Sequence, residues 1–156
     1  MKLLSLDQST RCSGYAVFKD GKYIDSGVID MTKSKLETDE RSFEMAKQIW
    51  DVMKQCKPDV LVLENVQQQS NPKSMIVLAR LAGMIVGYAA AHNVQIKFML
   101  PSQWRKILNY SQGAGIKRQE LKQQSINYIK ENLGKELPED ECEAICIGIA
   151  ALKSFE

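Results

Sequence analysis

Histidine is nearly absent from this sequence: the only one, His92, lies among alanines at what reads as the end of a helix. A Ser-His-Asp or Cys-His mechanism would have to be built on that one residue. Cysteine is scarce too. Cys12, Cys56, Cys142 and Cys146 include no CxxC pair, and only Cys142 and Cys146 share a helical i, i+4 spacing. They read as small buried hydrophobes of a reducing cytosol rather than as a zinc site. No apolar run is long enough to cross a bilayer. The longest, Met75 to Ala91, has 17 residues and contains Arg80, against the ~20 that a span needs, and it reads as a buried helix. The opening MKLLSLDQST meets an acid after a few apolar residues, unlike a signal peptide. With no repeat or low-complexity tract, the 156 residues read as one domain, 1–156, with a single core and a cytoplasmic location.

Net charge is small as well, +2, but it is unevenly distributed. Residues 1–96 carry 12 basic and 11 acidic side chains, a balance of +1. Residues 97–122 carry six basic and one acidic, giving +5, and residues 123–156 carry three basic and seven acidic, giving −4. A basic segment beside an acidic one fits a protein that grips a polyanion and holds cations next to it.

Hydrophobic periodicity orders the rest. KLLSLDQ starts as a strand, GYAVFK (14–19) alternates into a second, and Asp20-Gly21 marks a tight hairpin into a third, KYIDSGVID (22–30). Residues 31–40 are polar and predict a loop. Phe43, Ala46, Ile49, Trp50 and Met53 recur at helical spacing, and Pro58 ends that helix. VLVLE (60–64) is a short continuous apolar run, as a central strand reads. After the apolar helix comes VQIKFM (94–99), then a short helix over 101–109, a loop at SQGAGI, an amphipathic helix over 117–132, and a last helix opened by Pro138. Three strands, helix, strand, helix, strand and then helices make an α/β layout in which a hairpin leads into parallel crossovers.

Three acidic positions stand out for where they fall. Asp7 ends the first strand, Glu64 ends the fourth, and Asp140, Glu141 and Glu143 open the last helix, where i and i+3 share a face. Two carboxylates ~4 Å apart repel by about 4 kcal/mol at an effective dielectric of ~20. A cluster of them therefore implies bound divalent cations, and hard oxygen ligands suit magnesium. Taken singly, each acid has an ordinary explanation: helix-dipole partner, turn cap or strand end.

The segments LLSLDQSTRCSGYAVF, LVLENV and DECEAICIGIAAL together resemble the RuvC-type Holliday junction resolvases, in the order and spacing of that family's motifs and over nearly the whole chain. The resemblance implies a ribonuclease-H-like fold with a mixed five-stranded sheet flanked by helices. It also implies metal-binding, catalytic carboxylates at Asp7, Glu64, Asp140 and Glu143. Two Mg2+ ions per site, with Mn2+ able to substitute, would support cutting of four-way junctions and other branched DNA, forks and three-way branches included. Two departures and one match of open register are visible. The family closes with two aspartates where this chain has Glu143, so Glu141 is an alternative fourth ligand. The position three after the second acid, where bacterial members carry an aromatic that helps open the junction, is Gln67, in the run Gln67-Gln68-Gln69. The family's basic residue after the glycine loop matches Lys117, or Arg118 if the loop aligns differently. Together these departures resemble the shorter phage-encoded branch.

From the basic segment, Arg105, Lys106, Lys117 and Arg118 are the expected DNA-phosphate contacts, and Trp104 either stacks on a base or anchors the core. One active site per chain and a junction of approximate two-fold symmetry imply a homodimer. The small residues Ala79, Gly83, Gly87 and Ala91 draw a stripe along the apolar helix that offers a seam, flanked by Leu78 and Leu81, where a charge is expected to give a folded monomer. Three other functions compete. The LDQST opening is shared with actin-like ATPases, which need two such domains and a second phosphate hairpin that this chain lacks. Single-domain relatives that process structured RNA are a closer rival. A non-catalytic binder of DNA structure would leave four acids unexplained.

Overall fold

The computed structural model describes residues 1–68 and 70–156. Three strands come first: β1 (Lys2–Asp7), β2 (Cys12–Lys19) and β3 (Lys22–Asp30). Helix α1 (Thr38–Cys56), strand β4 (Val60–Glu64), helix α2 (Pro72–Ala91) and strand β5 (Gln95–Met99) follow, and three helices close the chain: α3 (Pro101–Ile107), α4 (Arg118–Leu133) and α5 (Glu139–Lys153). The sheet runs β3-β2-β1-β4-β5, with β1, β2 and β3 antiparallel and β4 and β5 parallel to β1. This is the mixed five-stranded α/β sheet that the sequence resemblance implied. The Asp20-Gly21 turn has positive φ at both residues, 51° and 77°, which glycine takes without cost and aspartate tolerates. Helix α1 ends at Cys56, two residues before Pro58, because the position preceding a proline is excluded from helical geometry.

Strand alternation sorts the side chains into two cores. Leu4, Leu6, Leu61 and Leu63 pack beneath α1 and α2 with Met45, Ile49, Leu81 and Ile85. Leu3, Phe18, Val60 and Val62 face the other way, onto α5 and its neighbours Trp104 and Ile129. Because successive strand residues point to opposite faces, Asp7 shares the face of Leu3 and Ser5, and Glu64 that of Val60 and Val62. Both acids therefore emerge on the α5 side. Leu6 pairs with Leu63, so the two acids end adjacent parallel strands at the same sheet edge.

Helix α5 lies unusually close to that face. Gly14 is the strand partner of Asp7, and a Cβ placed on it would stand 1.9 Å from the carbonyl oxygen of Asp140. Only glycine admits the first turn of α5 here. One turn along, the Ser5 hydroxyl donates to the Ala144 carbonyl at 2.7 Å, and at Gly148 an added Cβ would meet the Phe18 ring. Cys142 and Cys146 are buried in this seam.

Three expectations need correction. Residues 38–40 are helical, not loop, since α1 starts at Thr38. Phe43 is 47% exposed despite its helical spacing: the inward stripe of α1 runs through Ser42, Met45, Ala46, Ile49 and Met53, and Phe43 lies on its flank. Helix α2 is not a buried helix. It has 20 residues, long and apolar enough to cross a membrane by length and composition, yet only Leu81, Ala82, Ile85 and Ala89 are buried. Leu81, Ile85 and Ala89 pack in the core shared by the sheet and α1, and Arg80 pairs with Asp39 of α1 at 3.3 Å. A bilayer span would have to tear both contacts away. The opposite face, with Ile76, Ala79, Gly83 and Gly87, is left open, and nothing lies within 4 Å of a Cβ built on either glycine.

Candidate active site

The sheet edge and the start of α5 enclose a cavity of about 790 Å³. Its wall contains five carboxylates, Asp7, Glu64, Glu139, Asp140 and Glu143, and six cations, Arg11, Arg41, Lys73, Arg105, Arg118 and Lys122. All four carboxylates assigned from the sequence motifs thus meet in one place, from positions as far apart as 7 and 143. Glu141 points elsewhere: it is buried and accepts the Ser26 hydroxyl at 2.5 Å on the β3 side. As neighbours on the inner turn of α5, Asp140 and Glu143 face the cavity and Glu141 does not.

Electrostatics at the site are those of crowded acids. Burial first, then the charges of Glu143, Glu64 and Asp140, hold the Asp7 carboxyl well above the ordinary carboxylate range. Burial also raises Glu64, opposed by the Trp104 N–H and by Arg105 and Arg118. Glu143 is pushed up to about 7, by burial and then by Glu64, with Arg105 and Lys122 pulling it back. Its Oε1 atom is buried without a hydrogen-bond partner. Among the described residues no three acid, histidine or cysteine groups are drawn together tightly enough to hold an ion as they stand. The carboxylates ring the cavity instead of closing on one point, as mutual repulsion requires. An acid set of hard oxygens, one of them buried and unpaired, suits a hard divalent cation.

The basic residues divide. Arg105 and Arg118 line the cavity, whereas Lys106 and Lys117 are exposed outside it. Lys122, on the inner face of α4, was not expected at the site. It is paired with Glu139 at 2.7 Å and lines the same wall. Arg41 was missed as well: it is 7% exposed, with an Nε that has no partner. Nothing in a local pattern marks these two, because one sits inside an amphipathic helix and the other just past the polar segment 31–40, before the apolar spacing of α1 begins. Trp104 is fully buried and cannot stack on a base; its indole N–H donates to Glu64 Oε1 at 2.7 Å. Gln67 is exposed beside the site and, with Gln8, Glu64, Leu78 and Pro101, lines a smaller cavity of about 110 Å³. Gln69 lies outside the described residues. His92 stacks on Tyr88 at the far end of α2.

Residues 3–151 match the sequence profile of the family described as crossover junction endodeoxyribonuclease RuvC. The chain belongs to the RuvC family. Among its relatives, the RuvC of Syntrophomonas wolfei is 27% identical, aligned over 99% of this chain and 90% of its own length. The RuvC of Hydrogenovibrio crunogenus is also 27% identical, over 90% of this chain and 80% of its own. In three dimensions the chain is similar to Thermus thermophilus RuvC in complex with Holliday junction substrate, with a TM-score of 0.77 at 15% identity, covering 99% of this chain and 96% of that one. It is also similar to the fowlpox virus resolvase in complex with Holliday junction DNA, with a TM-score of 0.68 at 21% identity and 99% of both chains covered. At these identities the structural likeness speaks for the fold. Together with the family match it places the chain among crossover junction endodeoxyribonucleases, metal-dependent nucleases of DNA recombination and repair.

Proposed function

We propose that this RuvC-family chain cuts Holliday junctions, and other branched DNA such as forks and three-way branches, by paired hydrolytic nicks. The observation that supports this reading most is the convergence of Asp7, Glu64, Asp140 and Glu143 on one cation-rimmed cavity open to a polyanion. In this reading those four carboxylates hold two Mg2+ ions, which Mn2+ can replace. Bound there, such ions activate a water and stabilise the leaving oxygen of a phosphodiester. Asp7 and Glu64, fixed at strand ends, form the rigid half of the set, and Asp140 and Glu143 ride on α5, held to the sheet through Gly14 and Ser5. The cations of the wall seat the backbone. Arg105, stacked 4.9 Å from the Trp104 ring, and Arg118 flank Glu64, while Lys122 stands on the α5 side. Lys106 and Lys117, outside the cavity, are placed for the DNA arms. An enzyme of this kind works where chromosomes recombine, inside the cell.

The experiment is cleavage of an end-labelled four-way junction beside linear duplex and structured RNA of equal length, with and without magnesium. Junction cleavage that needs the metal supports the reading. Equal or faster cutting of structured RNA would replace it with the RNA-processing alternative, and junction binding without cleavage would make the chain a structural binder.

Phosphate contacts carry a second expectation. Replacing Arg105 and Arg118 together with Gln should weaken binding to all junction sequences alike and reduce the slope of log K against log salt by about two units, one per lost contact. Filter binding across a salt series measures this, and an unchanged slope would return both residues to the solvated surface.

A junction with two strands to cut requires two sites, hence two chains, and the open face of α2 is the surface we assign to the partner copy. Ile76, Ala79, Gly83 and Gly87 are all exposed on it. Leu81, proposed from the sequence as a place to break the dimer, is fully buried in this chain's own core, so a charge there would unfold the monomer. Gly83 is the better probe, since a side chain added to it meets open space. Gly83→Arg should leave a folded monomer that binds junctions but nicks the two strands independently. Equilibrium sedimentation checks the first part, and a supercoiled cruciform plasmid checks the second by giving nicked circles in place of linear product.

A further inference from the structure

Trp104 sits in a seven-residue helix whose sequence, PSQWRKI, carries no acid and no sign of catalytic chemistry. Its side chain is fully buried at the junction of the sheet edge with the α5 core, where it packs in the same cluster as Ile129 and Cys146 and meets the Tyr110 ring edge-on at 5.4 Å. Packing alone would be served by any large apolar residue. What distinguishes the tryptophan is its one polar atom: Nε1–H reaches 2.7 Å to Oε1 of Glu64, a residue 40 positions away in sequence. An indole N–H donates and never accepts, so it selects the carboxylate over any group that would itself donate there.

We propose that Trp104 is the positioning residue for Glu64, holding one of its carboxylate oxygens so that the other is presented to the cation in a single fixed orientation. This rests on the reading of Glu64 as a metal ligand. A glutamate at a strand end has three side-chain torsions to fix. Anchoring one oxygen to a rigid, buried ring removes that freedom before the ion arrives. It also leaves Glu64 able to offer a single oxygen, which suits the octahedral demand of Mg2+ better than the bidentate grip that larger cations accept. Arg105, the next residue, lies over the same ring at 4.9 Å and lines the cavity, so α3 sets the acid and a phosphate-facing cation from one rigid base.

The sequence contains two tryptophans, Trp50 and Trp104. In a Trp50→Phe background Trp104 is therefore the only indole emitter, and it reports on its own carboxylate partner. Titration of that variant with MgCl2 alone, without DNA, should change Trp104 emission saturably, with a midpoint in the concentration range where the magnesium-induced rise in Tm sets in. A second variant, Trp104→Phe, keeps an aromatic ring and loses the donor. It should move the onset of the magnesium-induced Tm rise to about 10–100-fold higher concentration, the range over which outer partners of metal ligands act, while metal-free junction binding stays at the wild-type level. A magnesium-stabilised protein whose Trp104 emission does not respond, or a folded Trp104→Phe variant whose Tm rise sets in at the wild-type magnesium concentration, would overturn the proposal while leaving Glu64 as a ligand. No magnesium response of any kind in the Trp50→Phe protein would overturn both. If Trp104→Phe fails to fold, the emission titration decides alone.

Discussion

Asp7→Asn is expected to abolish strand cleavage, with a rate loss of about a thousandfold or more, while junction binding stays within about twofold of wild type. The two effects separate because different atoms produce them. Affinity for a junction comes mainly from cations against phosphates, and the cations of the cavity wall are untouched by the substitution. Catalysis needs charge held where the reacting oxygens will be, and removing even one preorganised group from such a site costs about 10²–10³ in rate. Asp7 stands at the centre of the set: the charges that raise it belong to Glu143, Glu64 and Asp140 together. Asparagine has the same shape but neither the charge nor the second acceptor oxygen, so the fold is retained. The same outcome is expected for Glu64→Gln and Asp140→Asn. Single-turnover cleavage together with a gel-shift titration checks both halves. An Asp7→Asn enzyme that cuts at near the wild-type rate would remove the assignment on which the others depend.

The second large effect is on stability without metal. Glu143 titrates near 4.5 in an unfolded chain and near 7 in the fold, raised first by burial and then by Glu64. A carboxyl raised on folding behaves oppositely to one in a salt bridge. Between pH 4.5 and 7 the native state holds a proton that the unfolded state has released, so stability falls as pH rises through that window. Above pH 7 the folded protein carries the whole penalty, about 3 kcal/mol for a shift of this size. Glu143→Gln should therefore raise the metal-free Tm at pH 8 by about 6–12 °C, at about 2–4 °C per kcal/mol for a chain of this length. The gain should shrink toward pH 5. Magnesium should reverse the ranking, because ions that bind the folded acid cluster stabilise wild type by mass action and have one ligand fewer in the variant. Differential scanning fluorimetry at pH 5 and pH 8, with EDTA or with magnesium, measures all four conditions. A Glu143→Gln protein less stable than wild type at pH 8 in EDTA would mean that Glu143 is compensated in the fold and is not held there for an incoming cation.

The acids were legible in the sequence for a specific reason. Strand parity and strand ends are local properties, so LLSLD and LVLE announce that Asp7 and Glu64 leave the same face at the same edge once β1 and β4 are neighbours. Likewise an i, i+3 pair at a helix start identifies Asp140 and Glu143 as one face. What the sequence could not disclose are contacts made by packing between distant segments. Trp104 reaching Glu64, Lys122 turned inward on α4, and Arg41 buried at the start of α1 each depend on where one element comes to rest against another. Gly14 is intermediate. Its place beside a tyrosine and an alanine is visible, but its purpose, admitting the Asp140 carbonyl, appears only when α5 is laid across the strand. Helix α2 misled in the other direction. An almost wholly apolar helix reads as buried, yet its own chain covers one side of it, and the remaining face, with its exposed glycines, stays open.

Anomalous diffraction from crystals soaked in Mn2+ would show whether Asp7, Glu64, Asp140 and Glu143 form one metal site. Anomalous peaks are expected inside the cavity, with the four carboxylates rotated inward onto them and Trp104 still donating to Glu64. Peaks confined to other surface acids at saturating manganese, with Asp7 and Glu64 untouched, would contradict it.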